Sequence, residues 1–321
     1  MLKILKILGI ILIIILVIAV IIVVVLLINH NYQLKEEAKN YHPAGDVVEV
    51  NGKNLHVYTE GDGELTLVFM AGHGTSYPTL DFKPIWMRMV DEYRIAVVEK
   101  SGYGWSETSN SPRDIDTMLE ETRMALELSG EKAPYILFPH SMSGLEAIYW
   151  AQKYPEEVKA IIGLDPLTPE TVELLPEIQK IQLNLMYFIS RIGLPRFIPE
   201  SELGVNLPLM NSNDLSEEDK KQLLAIFYKS SVTKDMLNEV DYLKDNAETI
   251  GKNEVPINTP MYFFISDAQE AIARGWTESL TDYLSKITTR KYMLLSSGHY
   301  VHYDKAEIIA EEAKAFLKDI K

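Results

Sequence analysis

Ser141 sits in the segment YILFPHSMSGLEAIYWAQKYP, residues 135–155, where a short apolar run passes through a tight turn into a helical pattern. A strand–turn–helix of this kind exposes a serine hydroxyl at the tip of the turn. The helix start also aims backbone N–H groups and the positive end of its dipole at any oxyanion formed there. A serine nucleophile needs a general base. Of seven histidines, His299 alone follows the last apolar run directly behind a glycine, in LLSSGHYVHYDKAE. His302, three residues on, is the rival base. A Ser–His pair points to acyl transfer through a covalent intermediate. The competing reading, a metal held by His299 and His302, lacks a third ligand nearby, so neither a metal nor an organic cofactor is expected.

The third member must accept a hydrogen bond from the imidazole and stabilise its charged form. With the order serine, acid, histidine along the chain, it belongs at the end of the strand Met261–Ile265. The segment SDAQEA follows there and offers Asp267 and Glu270. Asp165 ends the preceding strand, in IIGLDP, and could equally be a turn residue before Pro166. Loop position ranks Asp267 first, Asp165 second and Glu270 third.

The elements that must position these groups are legible as alternating patterns. Leu65–Met70, Ile95–Val98, Tyr135–Phe138, Val158–Leu164, Met261–Ile265 and Tyr292–Leu295 are short, continuous apolar runs. Such runs suit strands buried on both faces of a parallel sheet. Amphipathic stretches separate them, among them Asp114–Ser129, Gly144–Tyr154 and the terminal Ala306–Lys321. Ahead of them DVVEVNGKNLHVYTEG reads as two strands turning at Asn51-Gly52. Strand and helix in alternation predict a doubly wound α/β architecture with a mostly parallel sheet. About 95 residues between the fourth and fifth parallel runs are too many for a loop and read as a helical cap, at about 166–256. The apolar stretch IQKIQLNLMYFISRIGL within it is expected to form cap core.

With these segments in place, the sequence resembles the α/β-hydrolase superfamily, in its capped esterase, lipase and proline-iminopeptidase-like branch. The resemblance runs from about Asp46 to the C-terminus and rests on AGHG, EKSGYGWSE, PHSMSG, the long insertion and SGHYVH. It implies Ser141 as nucleophile and His299 as base. It also implies an oxyanion hole made by the backbone N–H groups of His73, in the loop after the third strand, and Met142. EKSGYGWSE is similar to the family's D-x-x-G-x-G-x-S turn, with Glu99 replacing the aspartate, and a structural role is expected. Two departures stand out. Pro139 and Ser143 replace the glycines that usually flank the nucleophile, and the usual acid position falls on Gln269. Dehalogenase- and epoxide-hydrolase-like relatives use an aspartate where this chain has Ser141.

The substrate class this implies is a small-molecule ester or amide, with a carboxylic ester first. A peptidase specific for an N-terminal residue would need cap carboxylates for the substrate ammonium, from Glu200, Glu202 or the run Glu217, Glu218 and Asp219. A hydrolase fold retained only for binding is the remaining alternative. The formal charge of −15 argues against nucleic acid, which needs a basic face. The absence of cysteine removes disulfides, thiolate metal sites and a cysteine nucleophile.

The N-terminus carries its own physical message. Ile7 to Ile28 is an uncharged run of about 22 residues, about 33 Å as a helix, enough to cross a hydrocarbon core. It is too long for a cleaved signal's apolar stretch and no small-x-small site follows it. Residues 1–30 are therefore expected to be a retained anchor in the cell membrane, 31–45 a polar tether, and 46–321 the catalytic domain. Lys3 and Lys6 precede the run, while Lys35 and Lys39 follow it mixed with Glu36 and Glu37. That bias places the N-terminus inside and the large domain outside.

Overall fold

The computed structural model describes residues 2–321 apart from Asn110, Ile178, Glu200, Ser201, Val205, Asn206 and Lys321; the side chain of Leu2 is likewise left aside. Eight strands form one sheet: β1 (Asp46–Val50), β2 (Lys53–Glu60), β3 (Thr66–Met70), β4 (Arg94–Glu99), β5 (Tyr135–Pro139), β6 (Val158–Leu164), β7 (Met261–Ser266) and β8 (Arg290–Leu295). Their spatial order is β1-β2-β4-β3-β5-β6-β7-β8. β2 runs antiparallel to both β1 and β4, and every later pairing is parallel. The reversal of order at β4 and β3 leaves the carboxyl ends of β3, β5, β6 and β7 side by side, where open α/β sheets collect their functional loops.

The longer helices are α1 (Leu2–Asn40), α2 (Ile115–Leu128), α3 (Ser143–Lys153), α4 (Lys180–Arg191), α5 (Glu217–Ser230), α6 (Lys234–Gly251), α7 (Trp276–Ser285) and α8 (Ala306–Asp319). Successive strand residues point to opposite faces. Val68, Leu137, Ile161 and Phe263 therefore pack with α2, α3 and α7 through Leu119, Trp150 and Trp276. Their neighbours Leu67, Ile136, Ile162 and Phe264 pack on the other face with Phe82, Ile85 and, from α8, Ile309 and Phe316. Burial on both faces explains why these strands read as unbroken apolar runs.

α4, α5 and α6 lie in the insertion between β6 and β7. Local signals set their ends. The Ser216 and Asp219 side chains cap α5 reciprocally, and the Thr233 hydroxyl accepts from the Met236 amide at the start of α6. α5 contributes Leu223 and Ile226 to a small core with Tyr77, Leu80, Leu209 and Leu215.

Two expectations change. Residues 31–40 are no loose tether, because α1 continues through them as one 39-residue helix. No proline or glycine interrupts the chain between Gly9 and Pro43, and the Glu37 carboxylate is forked by Arg196 of the cap. Only Tyr41–Gly45 remains as a link to β1. The stretch expected to form cap core is the other change: in α4, Ile181, Leu185, Met186 and Phe188 are exposed. α1 is long and apolar enough to cross a membrane, and its apolar run is almost wholly uncovered by the rest of the chain.

Candidate active site

β5 ends at Pro139, and the chain turns through His140 and Ser141 into α3. Ser141 has φ +53°, a left-handed conformation that only the surrounding packing sustains in a non-glycine residue. The close approaches fall on different residues from those the usual glycine pattern marks. A methyl group on Gly72 would come within 2.8 Å of the Ser141 Cβ, and one on Gly144 would strike the Leu167 carbonyl. Ser143 fits the second flanking position because its buried hydroxyl donates to the Ala71 carbonyl. Pro139 fits the first by pairing with Met70 at the extreme end of the strand.

The structure brings together Ser141, His299 and Asp165. The His299 Nε2 lies 2.8 Å from the Ser141 Oγ, and its Nδ1 lies 2.6 Å from the Asp165 Oδ2. With a carboxylate on Nδ1, that nitrogen carries the proton and Nε2 is left to accept from the serine hydroxyl. Asp165 is fully buried and has φ +47°. Its Oδ1 accepts from the Ser266 backbone N–H and from the Trp276 indole N–H, each at 2.9 Å. Three donors thus satisfy the buried charge, which would otherwise be costly.

Asp267, ranked first from the sequence, is not the residue on His299. It is exposed, and among the described residues its Oδ1 accepts only a long 3.3 Å bond from the Ser297 amide. Glu270 is also spoken for, accepting from the amides of Gly275 and Thr277. The physical reason lies in the strand ends. β6 stops beside β5, and a left-handed residue there turns its carboxylate across to the loop after β8. β7 stops one strand further away, and contributes the Ser266 N–H instead.

His302 is fully buried away from Ser141. Its Nε2 donates to the Asp81 Oδ2 at 2.9 Å, and the Tyr303 hydroxyl donates to the other oxygen. Asp81, His140 and His302 bring ligand-type atoms within 4.8 Å of one another. Both oxygens of this carboxylate already accept hydrogen bonds, so the cluster acts as a brace beneath the base loop. His140 completes it: its Nε2 donates to the His299 carbonyl at 3.2 Å, and its ring packs 4.8 Å from the His299 ring. Burial first, and then the neighbouring His302 and His299, hold the His140 imidazole well below its usual pKa, so it stays neutral. Nothing in the sequence pattern marked His140 or Trp276 for these roles.

Of the two amides expected to face an oxyanion, that of Met142 opens α3, next to the Ser143 amide that bonds the His140 carbonyl. The amide of His73 lies in the loop after β3, which Gly72 brings against Ser141. Among the described residues, neither amide has a hydrogen-bond partner. The His73 side chain points elsewhere, with Nδ1 3.6 Å from Glu239 of α6. Burial alone would raise the Glu239 pKa, but Lys100, His73 and Arg113 reverse that and hold it down at about 2.

Glu99 carries no chemistry in the site. It is fully buried, pairs with His56, and accepts from the Trp105 amide and the Thr79 hydroxyl. Gly104 packs so closely on its carboxylate that any side chain there would collide.

Beside the base loop, Gly74, Tyr77, Tyr300 and Tyr303 meet cap residues Leu207, Leu209, Leu223 and Phe227 around a cavity of about 110 Å³. Of the peptidase-type carboxylates expected in the cap, the described ones are otherwise engaged. Asp219 pairs with Lys83, Glu217 with Lys220 and Glu218 with Lys221. Glu202 also makes an interaction, and Glu200 lies outside the described residues.

Comparison with known proteins agrees with this architecture. A family model described as alpha/beta hydrolase fold matches residues 77–190. The uncharacterized protein YbdG of Bacillus subtilis is 35% identical over 303 residues, covering 92% of each chain. Among solved structures, a protein assigned as a lipase from Acinetobacter baumannii superposes with TM-score 0.62 at 16% identity, covering 91% of this chain and 96% of that one. A loop variant of the haloalkane dehalogenase from Bradyrhizobium elkanii does so with TM-score 0.60 at 14% identity, covering 86% and 96%. At these identities the likeness concerns the fold alone.

Proposed function

The chain belongs to the α/β-hydrolase fold family, and we propose that it is a membrane-anchored serine hydrolase acting on carboxylic esters. The observation that carries this reading is the continuous chain Ser141–His299–Asp165, at 2.8 and 2.6 Å, with the serine held at φ +53°. Ser141 attacks the ester carbonyl while His299 Nε2 takes its proton, and Asp165 stabilises the imidazolium. The amides of His73 and Met142 hold the oxyanion of the tetrahedral intermediate. As the intermediate collapses, His299 returns the proton to the departing alcohol and leaves an acyl group on Ser141. Water, deprotonated by His299, then releases the acid. The serine sets this chain apart from relatives with an aspartate nucleophile.

Ester rather than peptide chemistry is supported by Leu207, Leu209, Leu223 and Phe227 around the cavity and by the engaged state of the cap carboxylates. α1 supplies the anchor in the cell membrane, with the N-terminus inside and the hydrolase domain on the outer side. Turnover of p-nitrophenyl esters against aminoacyl anilides tests the substrate class. The esters should be hydrolysed, with kcat/KM falling by about 10⁴-fold or more in Ser141→Ala. Preferred cleavage of the anilides would point to the peptidase, and no turnover of either by the folded protein to a binding role.

A further inference from the structure

α4 turns apolar residues to the outside. Ile181, Leu185 and Phe188 repeat at i, i+4 and i+7, on the face opposite buried Ser190. Their exposures are 77%, 56% and 49%, and Leu194 and Phe197 in the next turn continue the surface at 42% and 60%. Lys180 and Arg191 stand at the two ends of the helix. Large apolar residues with basic flanks suit a helix lying in a membrane interface.

The same turn is fastened to α1. A methyl group on Gly193 would come within 2.5 Å of the His30 Cβ. The Arg196 Nε donates to His30 Nδ1 at 2.9 Å, and its two terminal nitrogens fork onto Glu37 at 2.6 and 2.7 Å. His30 lies two residues beyond Ile28, about 3 Å along the helix axis. Val23, Leu26 and Leu27 share the face of buried His30 and are partly covered, while the rest of the apolar run up to Ile22 is bare. Leu194 and Phe197 therefore stand level with the end of the apolar run, where a bilayer's interface begins. α5 lies between this region and the site. Its Leu223 and Phe227 line the cavity beside Gly74 and Tyr300. Its Ala225, Ile226 and Lys229 face Leu34 and Ala38 of α1, and Tyr41 just beyond it, across a mostly apolar recess of about 230 Å³. One helix diameter, about 10 Å, separates α1 from the cavity beside the base loop.

We infer that the outer face of α4 and the turn after it seat in the bilayer that α1 crosses, and that the site draws lipid acyl esters directly from that bilayer. The substrate half rests on the esterase reading above; the seating does not. The net charge of −15 disfavours anionic headgroups, so zwitterionic lipid is the suitable surface.

The test uses the full chain reconstituted in phosphatidylcholine vesicles carrying dioleoylglycerol. Bromine on the lipid acyl chains should quench the emission added by Phe197→Trp. It should leave that of Tyr292→Trp untouched, because β8 is the sheet edge farthest from β1. The double variant Leu185→Asp/Phe197→Asp should lose at least about tenfold in dioleoylglycerol turnover while p-nitrophenyl acetate turnover stays within about twofold. Absence of quenching overturns the proposal whatever the rates, and quenching without that selective loss overturns its substrate half. If Ser141→Ala leaves p-nitrophenyl acetate hydrolysis intact, the hydrolase reading fails instead, and quenching still decides the seating.

Discussion

The Asp165 carboxylate meets His299, the Ser266 amide and the Trp276 indole with two oxygens, from a backbone position that few non-glycine residues occupy. Removing its charge while keeping its shape separates its electrostatic role from its packing. Asp165→Asn should lower ester kcat/KM by about 10⁴-fold, because an amide cannot hold the imidazole in the required tautomer or stabilise its charged form. Asp267→Asn should change it by less than about threefold, since that side chain holds only a long bond to a loop amide. Steady-state kinetics on one soluble ester compares the two; equal effects would return the acid assignment to the loop after β7. Ser141 and His299 were legible because each sits at a junction of a strand pattern with a helix or glycine. The acid was not, because three carboxylates at two neighbouring strand ends have the same local sequence character. Only the left-handed turn of residue 165 and the indole of Trp276, 111 residues away in the chain, choose among them. No local pattern records such a distant donor.

Between elements, Glu239 links the cap to the loop after β3. From α6 it meets the Tyr103 hydroxyl, His73 and Lys100 in a fully buried setting. Its carboxyl is held down at about 2, below its ordinary value near 4.5. A depressed carboxyl contributes stability that is present in full above the ordinary value and is lost as pH falls toward the folded one. Glu239→Gln should therefore destabilise the fold at neutral pH by about 3–5 kcal/mol, as expected for breaking a buried charge pair. The gap to the native protein should close as pH falls from about 4.5 to about 2. Denaturant midpoints across that range check this, and a gap independent of pH would contradict it. The strands were legible from the sequence within two residues at each end; burial on both faces makes β3 to β7 continuous apolar runs, whereas the edge strand β8 keeps its apolar pattern although Tyr292 and Leu294 are exposed. α4 was misread for a related reason: an apolar pattern records that a face avoids water, without saying whether protein or lipid covers it.

For the molecule as a whole, α1 is fastened to the cap by side-chain hydrogen bonds. The fork of Arg196 on Glu37 and the contact with His30 join the end of the long apolar helix to the insertion between β6 and β7. A double-mutant cycle of Glu37→Gln and Arg196→Gln, read by denaturation of the reconstituted full chain, should show a coupling of about 1–2 kcal/mol. Additivity to within about 0.5 kcal/mol would mean the helix and the cap are independent. The sequence announced a span and a catalytic domain, yet gave no sign of this joint. Residues 31–40 look polar and linker-like until the partner side chains of the cap are in place.

The central claim is that Ser141 is the nucleophile of a working hydrolase, and it can be tested without knowing the natural substrate. A fluorophosphonate reacts only with a serine activated by its base and oxyanion donors. Treatment of the intact protein followed by peptide mapping should place one label on the peptide containing Ser141, and Ser141→Ala should abolish it. A label on any other residue, or none on a folded native protein, would contradict the account.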